Sequence, residues 1–226
     1  QKAREADDTP PPVEEEIDDE AVQAKLKERQ EKASHSKFSF RLYPGLRTPD
    51  DFAKTVILQK RKLKEGDIVS VDCGTIFGGF VADSAFSAGV GKLSSASQKL
   101  LDVTEGALMA GIDKMRAGNR TGDVSAAIQK YVESRGFYVT REYTGHGVGR
   151  QMHEGPQVPN YGTPGRGLLL RPGVTIALEP MVLVGTEKTK VLADQWTVIS
   201  ADKSLTAHFE HSIAVTEGEP LILTVL

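Results

Sequence analysis

The chain contains 226 residues, with 28 basic and 31 acidic side chains and a formal net charge of −3. This length suits one domain, or one domain with a tail. No stretch approaches the roughly 18 consecutive apolar residues that a membrane-spanning helix needs. The single cysteine, Cys73, excludes an intramolecular disulfide framework and a cysteine-rich zinc module. The near-neutral charge argues against nucleic-acid binding as the main role, because that role usually brings a basic excess.

The beginning of the chain has a composition of its own. Residues 1–20 carry nine acidic and two basic side chains around three consecutive prolines. Such a segment has too little apolar surface to offset the entropy of ordering it, so we expect residues 1–37 to form an acidic, disordered tail. Residues 18–33 are predicted to form a short charged helix within it. A docking tail and a solvated linker are both open interpretations, whereas the pattern of a secretory signal is missing.

The remainder, residues 38–226, is predicted to be one domain of α+β class. Alternating, β-branched residues predict strands over 67–77 and 80–90, joined by the two-residue loop Gly78-Gly79. Helical periodicity follows over 94–115 and 121–135. Glycine- and proline-punctuated short strands are predicted over 137–141, 174–183, 196–201 and 206–215. Two helices with several antiparallel strands are typical of an α+β fold.

The predicted hairpin brings two carboxylates together. If Phe77 faces Phe80 across the loop, Gly74 faces Asp83, and Asp72 lies on the same face as Gly74 because side chains alternate with a period of two. Asp72 and Asp83 are then diagonal neighbours across the two strands. Two crowded carboxylates either share a proton or hold a cation. The alternative is that both acids face solvent on the outer side of the hairpin.

Three further segments carry candidate ligands. His146 stands between Gly145 and Gly147 in a glycine-rich loop, and His153 follows seven residues later. Glu179 interrupts an apolar strand run, where an unpaired carboxylate is costly to bury. Glu210 alternates along 208–215 so that it shares a face with His208 and Ser212. Packed or surface histidines and exposed strand-end acids are the competing interpretations.

Together these residues form an oxygen-rich set of ligands on or beside strands. Four carboxylates and one imidazole suit divalent ions such as Mn, Fe, Co or Zn, and sites of this kind with an open position hydrolyse substrates. The predicted ligands are Asp72, Asp83, His146, Glu179 and Glu210.

The run from Gly66 to Thr216 resembles the bacterial-type methionine aminopeptidases, which belong to the pita-bread fold group. The resemblance rests on short motifs in matching order: Gly66-Asp67-Ile68-Val69 before Asp72 and Asp83, Gly145-His146-Gly147-Val148-Gly149-Arg150, His153-Glu154-Gly155-Pro156, Leu178-Glu179-Pro180-Met181, Asp194-Gln195-Trp196-Thr197 and Phe209-Glu210-His211. It implies a curved antiparallel sheet with flanking helices. It also implies two divalent metal ions, Co, Mn, Fe or Zn, held by the five predicted ligands.

The resemblance further implies roles for individual side chains. His153 contacts the substrate and Glu179 handles a proton, so these two are the expected catalytic residues. Trp196 is a candidate for substrate binding, although its own residue type favours a place in the core. The expected activity is removal of N-terminal methionine from nascent polypeptides in the cytoplasm, with the ribosome as a candidate partner and no membrane or nucleic-acid partner.

Residues 38–65 depart from this family. The family's other active-site histidine has no counterpart, because no histidine occurs between His35 and His146. We therefore expect reduced activity. The alternative is a catalytically weak or inactive pita-bread module that binds peptides or protein partners.

Overall fold

The computed structural model describes residues 62–193, 195 and 197–225. The predicted acidic tail, its charged helix, residues 38–61 of the divergent segment and Trp196 lie outside the described residues. Two helices and twelve strands follow one another in that part of the chain, in the order β1 Ile68–Phe77, β2 Phe80–Gly89, α1 Ser95–Asp113, α2 Thr121–Glu133, β3 Tyr138–Val139, β4 Thr144–Gly147, β5 Glu154–Pro159, β6 Thr175–Leu178, β7 Met181–Leu183, β8 Thr189–Val191, β9 Val198–Ser200, β10 Thr206–His208, β11 Glu210–Ala214 and β12 Leu221–Ile222.

The first hairpin has the predicted register. Phe77 pairs with Phe80, and Gly74 pairs with Asp83. Gly78 and Gly79 both have positive φ angles, 58° and 81°, which a two-residue turn matched to the strand twist requires. Within the described residues, the hairpin forms one edge of a seven-stranded antiparallel sheet with the order β1-β2-β11-β6-β4-β5, and β12 lies beside β11.

The two predicted helices are present and supply much of the core. Helix α1 begins after Ser94, whose hydroxyl accepts a hydrogen bond from the Ser97 amide at 3.0 Å. Helix α2 begins after Arg120, whose amide donates to the Asp123 carboxylate at 2.7 Å. Both helices pack with the sheet around a buried apolar cluster that includes Leu100, Leu108, Met115, Val124, Ile128, Ile176, Leu178 and Ile213. The α+β class is therefore confirmed.

The strand pattern differs from the prediction: strands β5, β8 and β12 lie where no strand was predicted, and three further segments have a different form. The expected strand over 174–183 is two strands, β6 and β7, separated by Glu179-Pro180. The expected strand over 206–215 is likewise divided into β10 and β11 at Phe209. The segment predicted as a glycine-rich loop contains strand β4, paired with both β5 and β6. A Cβ atom on Gly145 would lie 2.7 Å from the carbonyl oxygen of Ala177, so glycine is needed here for close approach of strands.

The β1–β2 hairpin exposes much of its apolar surface. Strand β1 is exposed from Ser70 to Phe77, and the side chains of Ile76, Phe77 and Phe80 are more than half exposed.

Among the described residues no helix is both long enough and apolar enough to cross a membrane.

Candidate metal centre

The predicted ligands converge because they lie on adjacent strands of the large sheet. Asp83 is on β2, Glu210 begins β11, Glu179 directly follows β6, and His146 is on β4. The registers align them: Glu210 pairs with Ala85, and His146 pairs with Ala177. Four elements that are distant in sequence thus place oxygen and nitrogen atoms at one point in the sheet.

Three of these side chains form a compact group. Asp83, His146 and Glu210 are buried, and each offers one ligand atom within 4.8 Å of the others. Nε2 of His146 lies 3.8 Å from Oδ2 of Asp83 and 3.4 Å from Oε1 of Glu179. Nδ1 of His146 is 3.0 Å from the carbonyl oxygen of Gly147. Because that carbonyl can only accept, Nδ1 carries a proton, and Nε2 is the ring nitrogen that is positioned to bind a metal ion.

Hydrogen bonds from Ser212 and Asn160 hold the main chain of two of the acids. The buried Ser212 hydroxyl accepts from the Asp83 amide and donates to the Asp83 carbonyl oxygen, both at 2.9 Å. The buried Asn160 side chain donates through Nδ2 to the carbonyl oxygen of Glu179 at 3.1 Å. Both acids therefore have defined main-chain positions.

The electrostatics of the group indicate a cation site. Burial, together with the nearby charges of Asp72 and Asp83, raises the pKa of Glu179 to about 8. Burial and the neighbouring acids raise the pKa of Glu210 to about 9. The pKa of Asp83 is also raised, chiefly by burial and then by Asp72. Closely spaced buried carboxylates resist ionisation unless a cation compensates them, and this mixed oxygen and nitrogen donor set fits a divalent metal ion.

Asp72 and His153 lie at the exposed side of the group. Asp72 is the diagonal neighbour of Asp83, as predicted, but its side chain is exposed, whereas Asp83 is buried. Among the described strands, β1 is at the edge of the sheet. The exposed His153 ring lies 4.4 Å from the His146 ring, between centroids. Trp196 is not among the described residues.

One member of the group, His208, was not predicted as a ligand from the sequence. Nε2 of His208 lies 3.8 Å from Oε2 of Glu179 and 3.9 Å from Oε2 of Glu210. This nitrogen is buried and has no hydrogen-bond partner in the described part of the chain. The signal available in the sequence was the i, i+2 spacing of His208 and Glu210, which places two such side chains on one face of an extended segment.

Comparison with known proteins identifies the class to which this fold and site belong. The model of metallopeptidase family M24 matches residues 7–217, so the chain belongs to this family. It is similar to methionine aminopeptidase of Clostridium perfringens, with 48% identity over 165 residues, 73% of this chain and 66% of the relative. It is also similar to methionine aminopeptidase 1 of Bacillus subtilis, with 49% identity over 164 residues, again 73% and 66%. The chain thus spans about two thirds of the length of these curated relatives.

Solved structures give the same result for the fold. The crystal structure of methionine aminopeptidase from Thermotoga maritima superposes with a TM-score of 0.73 and 48% identity, covering 75% of this chain and 68% of that one. Prolidase from Pyrococcus furiosus shares the fold with a TM-score of 0.60 at 19% identity, covering 74% of this chain and 44% of that one. The predicted resemblance and the pita-bread fold are confirmed. Membership of this metallopeptidase family also implies the use of divalent metal.

Proposed function

We propose that the chain acts as a metal-dependent aminopeptidase that removes N-terminal methionine. The observation that carries this proposal is the buried meeting of Asp83, His146 and Glu210, with Glu179 3.4 Å from His146, inside a fold shared with methionine aminopeptidases. The identity of about one half to the relatives named above supports the same substrate. The rival function, a pita-bread module that only binds peptides or protein partners, is supported by the divergence of residues 38–65 and the missing histidine, but by no feature of the described site.

The proposed centre holds two divalent ions, Co, Mn, Fe or Zn, through five residues of this chain: Asp72, Asp83, His146, Glu179 and Glu210. Ions in such a site polarise a carbonyl group and activate water for attack on it. The raised pKa values of Glu179 and Glu210 support the proposal, because they reflect how poorly the metal-free site tolerates its own negative charge.

The chain's own side chains perform the remaining tasks. Glu179 takes the proton of the attacking water at a carboxylate oxygen and delivers it to the leaving amine nitrogen. His153, exposed beside His146, donates a ring N–H to the oxygen that becomes negative at the attacked carbon. The exposed carboxylate of Asp72 accepts a hydrogen bond from the free α-amino group of the substrate. Trp196 remains a candidate for substrate binding in this proposal.

The proposed substrates are the N-termini of nascent polypeptides in the cytoplasm, with the ribosome as a candidate partner. The absence of a histidine between His35 and His146 removes one proton-handling or substrate-positioning group expected from the family resemblance. The proposal therefore includes a reduced turnover, because loss of such a group commonly costs about 10²–10⁴-fold in rate.

The test is release of methionine from a Met-Ala-Ser peptide by the full chain supplied with Mn, Co, Fe or Zn. Glu179→Gln removes the proton carrier, so we expect kcat to fall about 10²–10⁴-fold. Glu217→Gln, at an exposed position away from the centre, is the matched control and keeps the parent rate. Turnover that is unchanged by Glu179→Gln and by His146→Ala contradicts the proposal. Metal binding without any turnover favours the peptide-binding module.

A further inference from the structure

His208 occupies a rigidly held position in the centre. Its amide donates to the Ser87 hydroxyl at 2.9 Å, and the same hydroxyl donates to the His208 carbonyl oxygen at 2.8 Å. On the other side, His208 pairs with Met181 of β7. Ser87 is buried on β2, so the main chain of His208 is fixed between two strands. The two strands, rather than a flexible loop, therefore hold the His208 imidazole at the site.

The distances around Nε2 of His208 are those of co-ligands rather than of hydrogen bonds. Separations of 3.8 Å to Glu179 and 3.9 Å to Glu210 exceed the normal hydrogen-bond range. Metal bonds to nitrogen and oxygen are about 2.0–2.2 Å long, so two atoms bound to one ion can lie up to about 4.2 Å apart. The corresponding contacts of His146 with Asp83 and Glu179 fall in the same range, at 3.8 and 3.4 Å.

The lack of another partner strengthens this interpretation. A buried ring nitrogen without a hydrogen bond is costly, and no described side chain relieves this cost at Nε2 of His208. An ion between the imidazole and the two glutamates would satisfy the nitrogen and compensate the carboxylates at the same time. At the opposite end of the centre, His146 already supplies an imidazole.

We propose that His208 supplies, through Nε2, a second imidazole ligand to the metal centre, on an ion that it shares with Glu179 and Glu210. This inference rests on the metal centre of the proposed function and adds a sixth ligand to it. Imidazole favours Co, Zn and Fe over Mn, which prefers an all-oxygen site. The sixth ligand therefore strengthens the preference for these metals over Mn beyond what five ligands with one imidazole would give.

The direct test counts the imidazole ligands. The full chain is stripped with a chelator and loaded with Co²⁺, and the strongly shifted, solvent-exchangeable imidazole N–H resonances are recorded by proton NMR. Two such resonances are expected for the parent protein, one for His208→Gln, and two for His211→Gln. His211 is the matched control, because its ring faces the hydroxyl of Thr224 at 2.8 Å instead of the centre.

A binding titration gives the second readout. Loss of His208 should weaken Co²⁺ binding about 10- to 100-fold, the range found when groups around a metal are removed. Mn²⁺ binding should weaken by about threefold or less, because manganese gains little from imidazole. His208→Asn serves beside His208→Gln if one of them folds poorly, and circular dichroism reports which variants fold.

The outcomes separate this inference from the proposed function. A parent protein that binds none of the metals contradicts the proposed function itself. A parent protein that binds Co²⁺ with a single shifted imidazole overturns the role of His208 alone, and this result does not depend on any variant. Equal weakening of Co²⁺ and Mn²⁺ by His208→Gln, with both resonances kept, also overturns it.

Discussion

At the scale of single residues, the Ser212 hydroxyl illustrates how the centre depends on groups that contact no ligand atom. It bridges the amide and the carbonyl oxygen of Asp83, and so ties β2 to β11 at the level of the metal centre. Both residues are buried, so water cannot replace either hydrogen bond without rearrangement of the strands.

Ser212→Ala should therefore lower the free energy of unfolding by about 1–3 kcal/mol, because it leaves a buried amide of Asp83 without a partner. Urea denaturation of the metal-free protein measures this change. The exposed Ser95→Ala, at the start of α1, is the control and should stay within about 0.5 kcal/mol of the parent. Equal stabilities of the two variants would contradict the role assigned to Ser212.

The residues of the site differ in how far the sequence could predict them. The neighbourhood of Asp72 and Asp83 was predictable, because a two-residue loop fixes the register of a hairpin by counting. The exposure of Asp72 was not, because it depends on which side of the hairpin other elements cover. His208 was placed on the correct face, but its distance to Glu179 follows from the strand order β2-β11-β6, which no local pattern encodes.

At the scale of elements, the contact between α1 and α2 rests on the absence of a side chain at Gly106. A Cβ atom there would lie 2.6 and 2.7 Å from Cζ and Cε1 of the Tyr131 ring. Tyr131 is fully buried, and the guanidinium of Arg135 lies 3.6 Å from its ring centroid, so the ring has little room to move.

Gly106→Ala should destabilise the protein by about 1–3 kcal/mol through overpacking. The intrinsic helix preference of alanine over glycine, worth about 1 kcal/mol in the opposite direction, offsets part of this cost and leaves a net loss of up to about 2 kcal/mol. Thermal unfolding measures the difference. The reverse exchange Ala96→Gly, at an exposed position of α1, is the control for helix propensity alone and should cost about 1 kcal/mol or less. A gain in stability for Gly106→Ala would contradict the prediction and would show that the Tyr131 ring can move to make room for the added methyl group.

The helices and the long hairpin were predictable because their periodicity extends over many residues. The short strands were not, and particular residues explain why. Glu179-Pro180 interrupts an otherwise continuous apolar run, and proline cannot donate to a strand ladder. Strand β4 contains the glycines that usually indicate a loop, yet Gly145 is required there by the approach of the Ala177 carbonyl.

At the scale of the whole molecule, the buried acids link folding to pH. In the metal-free protein the pKa values of Glu179 and Glu210 are raised to about 8 and about 9 by burial, from 4.5. Between the ordinary and the raised values the unfolded chain releases protons that the folded protein retains. The retained protons therefore stabilise the folded state relative to the unfolded chain. This contribution to the free energy of unfolding is full below pH 4.5 and is lost as pH rises toward 8 and 9.

The melting temperature of the metal-free protein should therefore fall between about pH 5 and pH 9, and Glu210→Gln should flatten this slope because glutamine does not titrate. Differential scanning calorimetry across this range measures both. Glu217→Gln, whose side chain is exposed, should retain the parent slope. Added Co²⁺ should raise the melting temperature more at about pH 8 than at about pH 5.5, because protons compete for its ligands. A slope that is identical in the parent and in Glu210→Gln would contradict the coupling.

The wide separation of the donors along the chain has a consequence for assembly. Asp83 and Glu210 meet when β2 pairs with β11, and His146 joins them only when β6 and β4 have been added; pairings between distant segments form slowly. An ion bound by these residues would close a loop that includes both helices. Metal binding should therefore follow completion of the sheet, and the bound ion should resist separation of the strands that it joins.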